Sequence, residues 1–570
     1  MNFQKIFDPK SVAIVGATED KNKVGYSLVS NLLSGKPRNI YPVTLDKDEI
    51  LGLKAYRSIL DIKGDIDLVL IAVRAEFVSQ VLIECGKKKV PFVIVISAGF
   101  KEMGGDGKKL EDKIKETARR YKISLLGPNC LGIINARADF NATFAAEKPL
   151  AGKISFLSQS GATGTAMLDW SRNAGVGFSK FVSLGNEAGL TELDFMKFFE
   201  KDIETDALLI YLEKVTDGKK FMELAKRITK TKPIVLIKAG RSPRGSAAVM
   251  SHTGSLAPAD AVFAAACREC GVVTVESLRE FFNFTKLFKM GIIQPLRRLV
   301  VVTNGGGPSV VAADLIDLSS SLELAELSSA TKSALQKVLP PMAATGNPID
   351  LIGDAGSERY DNALKILSSQ KNIDGIIVIL TPQMMTDAKA VADVLVLHAK
   401  NKPIIPVFMG GPAVRKGIAA LHESGLANFD FPKDAIEALD SMFLGNKKSV
   451  AKPSAGDNIT KNQKMADLFV VLKLLSRYGV EVPGVILRHK EELKGILKKF
   501  KNRPLVMKVI SKDIVHKTDA GGVRLNLKTE KEIVEAWDGI LKSTKTKVPG
   551  LKYKECSFSP WKRVGRLSLG

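Results

Sequence analysis

Three short loops of small and hydroxyl residues could bind phosphate groups. Their sequences are GAT at residues 16–18, SQSGATG at 158–164 and TNGGGPS at 303–309, and each follows a run typical of a strand. The second and third loops also open predicted helices, with Ser160 as the N-cap and Pro308 in the first turn. A helix N-terminus presents free N–H groups to an anion. One such loop is a weak signal, but three together predict phosphorylated ligands.

The first loop differs from the dinucleotide-binding fingerprint. Residues 16–25 lack the GxGxxG spacing, so a nicotinamide cofactor is not supported. Gly16 would still let a phosphorylated ligand approach the backbone closely. Taken alone, this loop is equally compatible with a structural turn.

A histidine and a glutamate are further candidates for chemistry. His252 lies in SHTGS without an apolar stripe, which favours a functional histidine over a core one. Glu213 ends a predicted strand, where it is either a functional carboxylate or an exposed strand-end residue. His398 and His422 fall in helical stretches, and His489 in RHK is expected to be solvated.

Cys267 and Cys270 have the spacing of half a metal site. No second pair of Cys or His residues accompanies them, and they follow an alanine-rich helical stretch. We therefore predict that both are buried helix residues and that there is no metal site.

Short apolar runs alternate with amphipathic stretches and indicate an α/β fold. Continuous Val/Ile runs separated by helices, such as 76–88 and 108–120, are typical of a doubly wound parallel sheet. The predicted strands are 11–15, 67–73, 91–96 and 123–126, then 153–157, 208–212 and 233–238, and then 298–303, 375–380 and 403–408.

The restarts of this pattern predict separate domains. We expect α/β domains at residues 1–140, 150–290 and 296–443. A polar stretch without periodicity, 446–464, is typical of a linker. A last domain at 465–570 should begin with a helix at 465–478 and contain a strand at 504–510.

Composition argues against several classes of protein. The chain of 570 residues has 84 Lys and Arg against 61 Asp and Glu, a net charge of +23. These basic residues are dispersed and not interleaved with aromatic ones, so nucleic-acid binding is not expected. We predict no membrane-spanning helix and no signal peptide. The five scattered cysteines favour a reducing, cytoplasmic location.

Ordered blocks of sequence resemble one family. Residues 238–242 (KAGRS) and 251–257 (SHTGSLA) resemble the phosphohistidine loop of ADP-forming acetyl-CoA synthetases. These are NDP-forming acyl-CoA synthetases of the succinyl-CoA synthetase superfamily. The other blocks, in the family's order, are 41–43 (YPV), 96–102 (ISAGFKE), 127–132 (GPNCLG), 158–161 (SQSG), 184–186 (LGN), 346–350 (GNPID) and 516–523 (HKTDAGGV). The resemblance extends from about residue 6 to about residue 554.

The resemblance implies both a fold and a reaction. The fold is a Rossmann-like CoA-binding domain, two flavodoxin-like domains of the succinyl-CoA synthetase type, and a partial ATP-grasp domain. The reaction interconverts acyl-CoA, ADP and phosphate with a carboxylic acid, CoA and ATP through an acyl phosphate and a phosphohistidine. Family members form dimers, so we expect a homodimer acting on small molecules. The sequence does not specify the acyl group.

Matches to the family's motifs imply roles for individual residues. His252 would accept the phosphoryl group first, Glu213 would support the phosphohistidine, and His516 would relay the group within the ATP-grasp part. A largely neutral imidazole can attack phosphorus, and a carboxylate on its other nitrogen fixes the tautomer. CoA is expected at Gly16, Ala17, Thr18, Lys23, Val43, Val73, Ser97, Ala98, Gly99, Pro128 and Asn129. Phosphate is expected at Ser160, Gly161, Gly306 and Gly307, and nucleotide at Lys508.

The chain also departs from the family's pattern. After Gly185-Asn186, where the family usually continues to an aspartate, this chain has Glu187-Ala188-Gly189. The resemblance implies that the ATP-grasp domain, including its Mg²⁺ ligands, continues beyond residue 570, so that this chain has a truncated one. Residues 555–570 show no alternation of apolar and polar residues where a strand is expected. A shifted reading frame of the gene would permit a family-like segment at this point, so we hypothesise a frameshift. The chain would then perform only the nucleotide-free half-reaction, or be a non-catalytic CoA-binding remnant.

Overall fold

A computed structural model describes residues 3–253, 260–443, 485–487, 489–494, 500, 504–510, 521–547 and 555–560. The chain divides into two compact units, Met1–Val450 and Ala451–Gly570. None of the helices in these described ranges is long and apolar enough to cross a membrane.

The first unit begins with a sheet of five parallel strands. In chain order these are β1 (Ser11–Val15), β2 (Asn39–Val43), β5 (Leu68–Ile71), β6 (Phe92–Val95) and β7 (Ser124–Leu126), with β3 (Glu49–Ile50) and β4 (Leu53–Lys54) forming a separate hairpin. The order across the sheet is β2-β1-β5-β6-β7. The helices are α1 (Gln4–Phe7), α2 (Val24–Leu33), α3 (Ala75–Lys87) and α4 (Gly105–Tyr121).

Both faces of this sheet are buried, which explains its continuous apolar strands. Alternate residues of β1 belong to two different cores: Val12 and Ile14 to one, Ala13 and Val15 to the other. The first of these cores continues into the next sheet through residues such as Leu157 and Phe195. The first two sheets are therefore packed against each other around shared apolar side chains.

The second sheet has seven strands. They are β8 (Gly132–Asn135), β9 (Phe140–Thr143), β10 (Leu150–Ser158), β11 (Gly177–Ser183), β12 (Ala207–Leu212), β13 (Ile234–Lys238) and β14 (Val273–Val275), in the order β14-β13-β12-β10-β11-β8-β9. The helices are α5 (Gly161–Asn173), α6 (Glu192–Lys201), α7 (Gly218–Ile228), α8 (Pro243–Thr253), α9 (Asp260–Glu269) and α10 (Leu278–Lys289). Strand β8 pairs antiparallel with both β11 and β9, so residues 132–143 join the second sheet although 1–140 was predicted as one domain.

The third sheet is parallel and completes the first unit. Its strands are β15 (Arg298–Thr303), β16 (Glu323–Leu324), β17 (Ile349–Asp350), β18 (Gly375–Leu380) and β19 (Ile404–Phe408), in the order β16-β15-β18-β19 with β17 also on β15. Its helices are α11 (Gly306–Asp317), α12 (Ser329–Val338), α13 (Ser357–Ser368), α14 (Ala388–His398), α15 (Arg415–Glu423) and α16 (Pro432–Ser441).

The second unit contains an antiparallel sheet and a helix. The elements are β20 (Val485–Leu487), β21 (Leu505–Ile510), β22 (Val523–Leu527), β23 (Glu555–Pro560) and α17 (Glu530–Lys547), and the strand order is β20-β23-β21-β22. The predicted linker and the predicted helix at 465–478 lie outside the described residues.

Strand β23 corrects the expectation for the last residues of the chain. Its residues pair antiparallel with both β20 and β21, so residues 555–560 do form a strand, although the sequence analysis found no strand alternation there. Cys556 and Phe558 do alternate with Glu555, Ser557 and Ser559, a short period-two pattern that the sequence analysis overlooked.

Candidate active site

A cleft of about 870 Å³ opens at the carboxyl edge of the first sheet, where it meets the second. Loops after β1, β5 and β6 form one side, and the start of α5 together with the loop after β11 forms the other. The lining residues used below are Gly16, Lys23, Gly25, Val73, Arg74, Ser97, Ala98, Asn129, Gln159, Ser160, Gly161, Gly185 and Asn186. Ligands of open α/β sheets bind at this edge of the strands.

Two glycines let α2 pack directly on the loop after β1. Gly16 has φ +93°, and a Cβ there would lie 2.5 Å from the carbonyl oxygen of Ala72. A Cβ on Gly25, in the first turn of α2, would lie 2.0 Å from the carbonyl oxygen of Gly16. The two backbones therefore touch, and the N-terminus of α2 borders the cleft.

We expect Gly25→Ala to weaken CoA binding at least about tenfold and to destabilise the fold by about 1–3 kcal/mol, because the methyl group must push α2 away from residue 16. Calorimetric titration with CoA and thermal unfolding would measure both effects. Gly218→Ala is the matched control, since a Cβ at this first residue of α7 would meet nothing within 4 Å. Unchanged CoA affinity in Gly25→Ala would exclude the loop after β1 from the CoA site.

The N-terminus of α5 is capped as predicted. The Ser160 hydroxyl accepts the N–H of Thr163 at 3.2 Å, and Ser158 Oγ accepts the N–H of Ser160 at 3.1 Å. These two hydrogen bonds fix the geometry of Ser160 and Gly161, which line the cleft. The N-terminus of α5, the positive end of the helix dipole, therefore faces the cleft. This arrangement suits a phosphate group.

The third glycine loop lies elsewhere in the first unit. Gly306 and Gly307 begin α11 at the carboxyl edge of the third sheet, and Asn304 fixes the loop by donating to Thr381 O at 2.9 Å. Neither glycine is among the described residues that line the cleft. The structure therefore brings the first two predicted phosphate loops together and leaves the third at a separate sheet.

Glu213 is buried, with 6% of its surface exposed, which rules out the exposed strand-end interpretation. Its N–H donates to Gln159 Oε1 at 2.6 Å, so the residue directly after β12 is tied to the loop after β10. Burial raises the pKa of Tyr211, and the nearby Glu213 carboxylate adds to this effect. A buried carboxylate beside the phosphate loop could support a cationic imidazole.

His252 lies in the last turn of α8 and not in a loop as expected. The Cα atoms of α8 come within 8 Å of those of the 3₁₀ turn Lys101–Met103, which follows β6 of the first sheet. The helix that carries His252 is therefore placed at the junction of the first two sheets. His516 lies outside the described residues.

A cluster of charged side chains contacts Asn186, one of the residues that line the cleft. The Asn186 side chain donates to Glu102 at 2.6 Å and to Glu111 at 2.9 Å, and the Lys101 ammonium donates to the Asn186 carbonyl at 2.5 Å. Burial, followed by the nearby ammonium of Lys214, lowers the pKa of Lys101 to about 8. These contacts orient Asn186, which lines the cleft.

The predicted CoA residues divide into two groups. Those that line the cleft are Gly16, Lys23, Val73, Ser97, Ala98 and Asn129. Those that are not among its described lining residues are Ala17, Thr18, Val43, Gly99 and Pro128. The sequence analysis missed Gly25, Arg74, Gln159, Gly185 and Asn186 as lining residues, although all except Arg74 occur in or beside glycine-containing segments.

The remaining candidates are not among the described residues that line the cleft. Lys508 is exposed on β21 in the second unit. Cys267 and Cys270 are buried in the core as predicted. Among the described residues, no three His, Cys, Asp or Glu side chains form a group that could hold a metal ion.

Four family models match successive parts of the chain. They describe a CoA binding domain (residues 10–136), a succinyl-CoA ligase like flavodoxin domain (151–288), a ligase-CoA domain (299–455) and an ATP-grasp domain (458–567). The last match includes β23, which again argues that residues 555–560 belong to the domain.

Curated relatives match over nearly the whole chain. An ADP-forming acetate–CoA ligase I from Archaeoglobus fulgidus is 40% identical over 96% of this chain and 81% of its own. A 4-hydroxybutyrate–CoA ligase (ADP-forming) from Nitrosopumilus maritimus is 33% identical over the same shares, 96% and 81%. A solved acetyl-CoA synthetase 1 from Ca. Korarchaeum cryptofilum, in complex with phosphate and ADP, is 33% identical, with a TM-score of 0.73 over 78% of this chain and 97% of that chain.

The three sheets of the first unit, the cleft where the first two meet and the ATP-grasp match define an α/β enzyme of the acid–thiol ligase class. The relatives make the assignment narrower. The chain belongs to the family of ADP-forming acyl-CoA ligases, which confirms the resemblance and the fold class inferred from sequence.

Proposed function

We propose that the chain interconverts acyl-CoA, ADP and phosphate with a carboxylic acid, CoA and ATP, and that the cleft holds CoA. The observation that carries this proposal is the meeting of three features at the junction of the first two sheets. These are the glycine contact of Gly16 with Gly25, the capped N-terminus of α5, and the buried Glu213. The CoA residues are those proposed from sequence, with Arg74 and Asn186 added from the lining.

The first step would transfer the acyl group. A phosphate oxygen attacks the thioester carbonyl, the new C–O bond forms, the C–S bond breaks, and CoA leaves as its thiolate. Ser160 and Gly161 would hold the phosphate at the start of α5, where the helix dipole opposes its negative charge. Gly306 and Gly307, at the third sheet, would bind the phosphoryl group at a later stage of the reaction.

The second step would transfer the phosphoryl group. A ring nitrogen of His252 attacks phosphorus, the P–O bond to the acyl group breaks, and the carboxylate leaves. Glu213 would support the resulting imidazolium. His516 would pass the group on to ADP in the ATP-grasp part, where Lys508 would contact the nucleotide. The described residues do not fit a resident Mg²⁺, since none of them group as its ligands.

We further propose a homodimer, as the family resemblance implies, working in the cytoplasm. The buried free thiols of Cys85, Cys130, Cys267 and Cys270 support a reducing compartment.

Incubation with acetyl-CoA and labelled phosphate, without nucleotide, tests the first two steps together. We expect label on the protein that is stable in base and labile in acid, accompanied by release of CoA. Acetyl-CoA is the starting probe, and a panel of acyl-CoAs follows because the acyl group is not specified. CoA binding without label from any member of the panel would favour the second candidate, a non-catalytic CoA-binding protein.

A further inference from the structure

The loop that carries Glu213 is held at both ends by side chains from other segments. At its start, Gln159 Oε1 accepts the N–H groups of Glu213 at 2.6 Å and Lys214 at 3.0 Å. At its end, the Glu192 carboxylate accepts the N–H of Thr216 at 2.6 Å and its hydroxyl at 2.8 Å. The backbone of residues 213–216 is therefore determined by two side chains, one after β10 and one at the start of α6.

Glu187 contacts both Gln159 and Glu192, the two residues that hold this loop. Its carboxylate accepts from Gln159 Nε2 at 3.0 Å, pairs with Lys214 Nζ at 3.1 Å, and accepts the N–H of Glu192 at 3.3 Å. The side chain has no exposed surface. We call Gln159, Glu187, Glu192 and Lys214 the Glu187 network.

Of the two carboxyl groups in this network, Glu187 is the one that pairs with Lys214. Two adjacent buried carboxyls do not both ionise readily, and burial followed by the Glu187 charge raises the pKa of Glu192 to about 7. Lys214 contacts Glu187 and so favours the charge on that side. Lys101, near Lys214, adds a second positive charge to the surroundings.

We propose that Glu187 is a positioning residue for phosphoryl transfer: it fixes Gln159 and Lys214, and through them the orientation of Glu213. This inference rests on the proposed function, in which Glu213 supports the phosphohistidine. Glu187 lies in the segment 187–189 in which the chain departs from the family's pattern, and its carboxylate makes all three contacts. A shift of about 1 Å in a group that orients reactants costs roughly a hundredfold in rate.

The variant Glu187→Gln keeps the shape of the side chain and removes its charge. We expect the rate of phosphoenzyme formation at saturating acetyl-CoA and phosphate to fall roughly 10- to 100-fold. The KM for acetyl-CoA should stay within about twofold, because Glu187 is not among the described residues that line the cleft. Glu187→Asp should recover part of the rate, since the charge is restored with a shorter reach.

A double-mutant cycle separates positioning from general damage. Lys214→Met alone leaves the buried Glu187 charge without its ammonium partner and should also slow label formation. The double variant Glu187→Gln/Lys214→Met removes both charges, so its loss should be smaller than the product of the two single losses. Glu269→Gln, which breaks the exposed ion pair with Lys226, is the control for removing a Lys–Glu contact and should label at the wild-type rate.

These experiments can contradict the positioning role of Glu187 without contradicting the proposed function. If the wild-type protein forms no phosphoenzyme with any acyl-CoA, the proposed function fails. If the wild-type protein does form one, and folded Glu187→Gln forms it equally fast, the positioning role is wrong. Rates are expressed per folded molecule, from thermal unfolding at the assay temperature, so that lost stability cannot imitate lost positioning. A raised KM with unchanged maximal rate would likewise overturn the inference, because it would place Glu187 in substrate binding.

Discussion

His252→Ala is expected to abolish the phosphoenzyme and to lower the net rate of ATP formation by at least about a thousandfold, as removal of a covalent nucleophile does in other enzymes. The reason is chemical. Alanine offers no nitrogen to attack phosphorus, so the acyl phosphate has no acceptor on the protein. CoA release from acetyl-CoA and phosphate should persist, because that step precedes the histidine. The two readouts, label on the protein and thiol release in solution, can be followed in one reaction.

His489→Ala is the control for this experiment. His489 is exposed at a 3₁₀ turn in the second unit, and its replacement should leave the label unchanged. Base-stable label that persists in His252→Ala would show that another histidine accepts the phosphoryl group. His516 would be the first to examine, since its sequence motif also resembles a phosphoryl carrier.

Local patterns predicted most elements of the first unit. The strand Ser11–Val15 and the strand Arg298–Thr303 were predicted with the bounds that the structure has, because each is a continuous apolar run that ends at a glycine or asparagine turn. Ser160 was predicted as an N-cap from its place before a helical stretch, and its hydroxyl does accept the Thr163 N–H. Such signals depend on neighbours in the chain, which a single sequence contains.

Long-range pairings were not predicted. Strand Gly132–Asn135 belongs to the second sheet because it pairs with Gly177–Ser183, and no local pattern specifies that partner. Asn186 reaches Glu102 and Glu111 across the junction of two domains, so its orientation depends on residues more than seventy positions away. The contact of Gln159 with the backbone of Glu213 likewise spans two loops.

These unpredicted contacts explain how the candidate residues come together. The sequence identified residues 187–189 as a departure from the family's pattern without indicating its effect. The structure places Glu187 between Gln159 and Lys214, where its carboxylate accepts from a buried amide and pairs with a partly exposed ammonium. Motifs thus predicted which segments meet at the site, and tertiary packing determined which side chains orient them.

Glu213→Gln is expected to lower the amount of phosphoenzyme at steady state by roughly 10²- to 10⁴-fold, the range seen when an orienting carboxylate or an electrostatic group is neutralised at an active site. Glutamine fits the same volume, and the Glu213 N–H would still donate to Gln159, so the loop should keep its place. What disappears is a negative charge with only 6% of its residue exposed. In such surroundings a charge interacts strongly with an imidazolium, because little water screens it.

Glu213→Gln should lower phosphoryl transfer and leave CoA binding unchanged. Glu213 is not among the described residues that line the cleft, so calorimetric CoA affinity should change less than about twofold. Glu223→Gln, on the exposed face of α7 shortly after the same loop, is the matched control and should label normally. If Glu213→Gln accumulates phosphoenzyme at the wild-type level, the buried carboxylate does not support the histidine. Its tie to Gln159 would then have to serve the shape of the phosphate loop at the start of α5, and Gln159→Leu would be expected to raise the KM for phosphate without lowering the maximal rate.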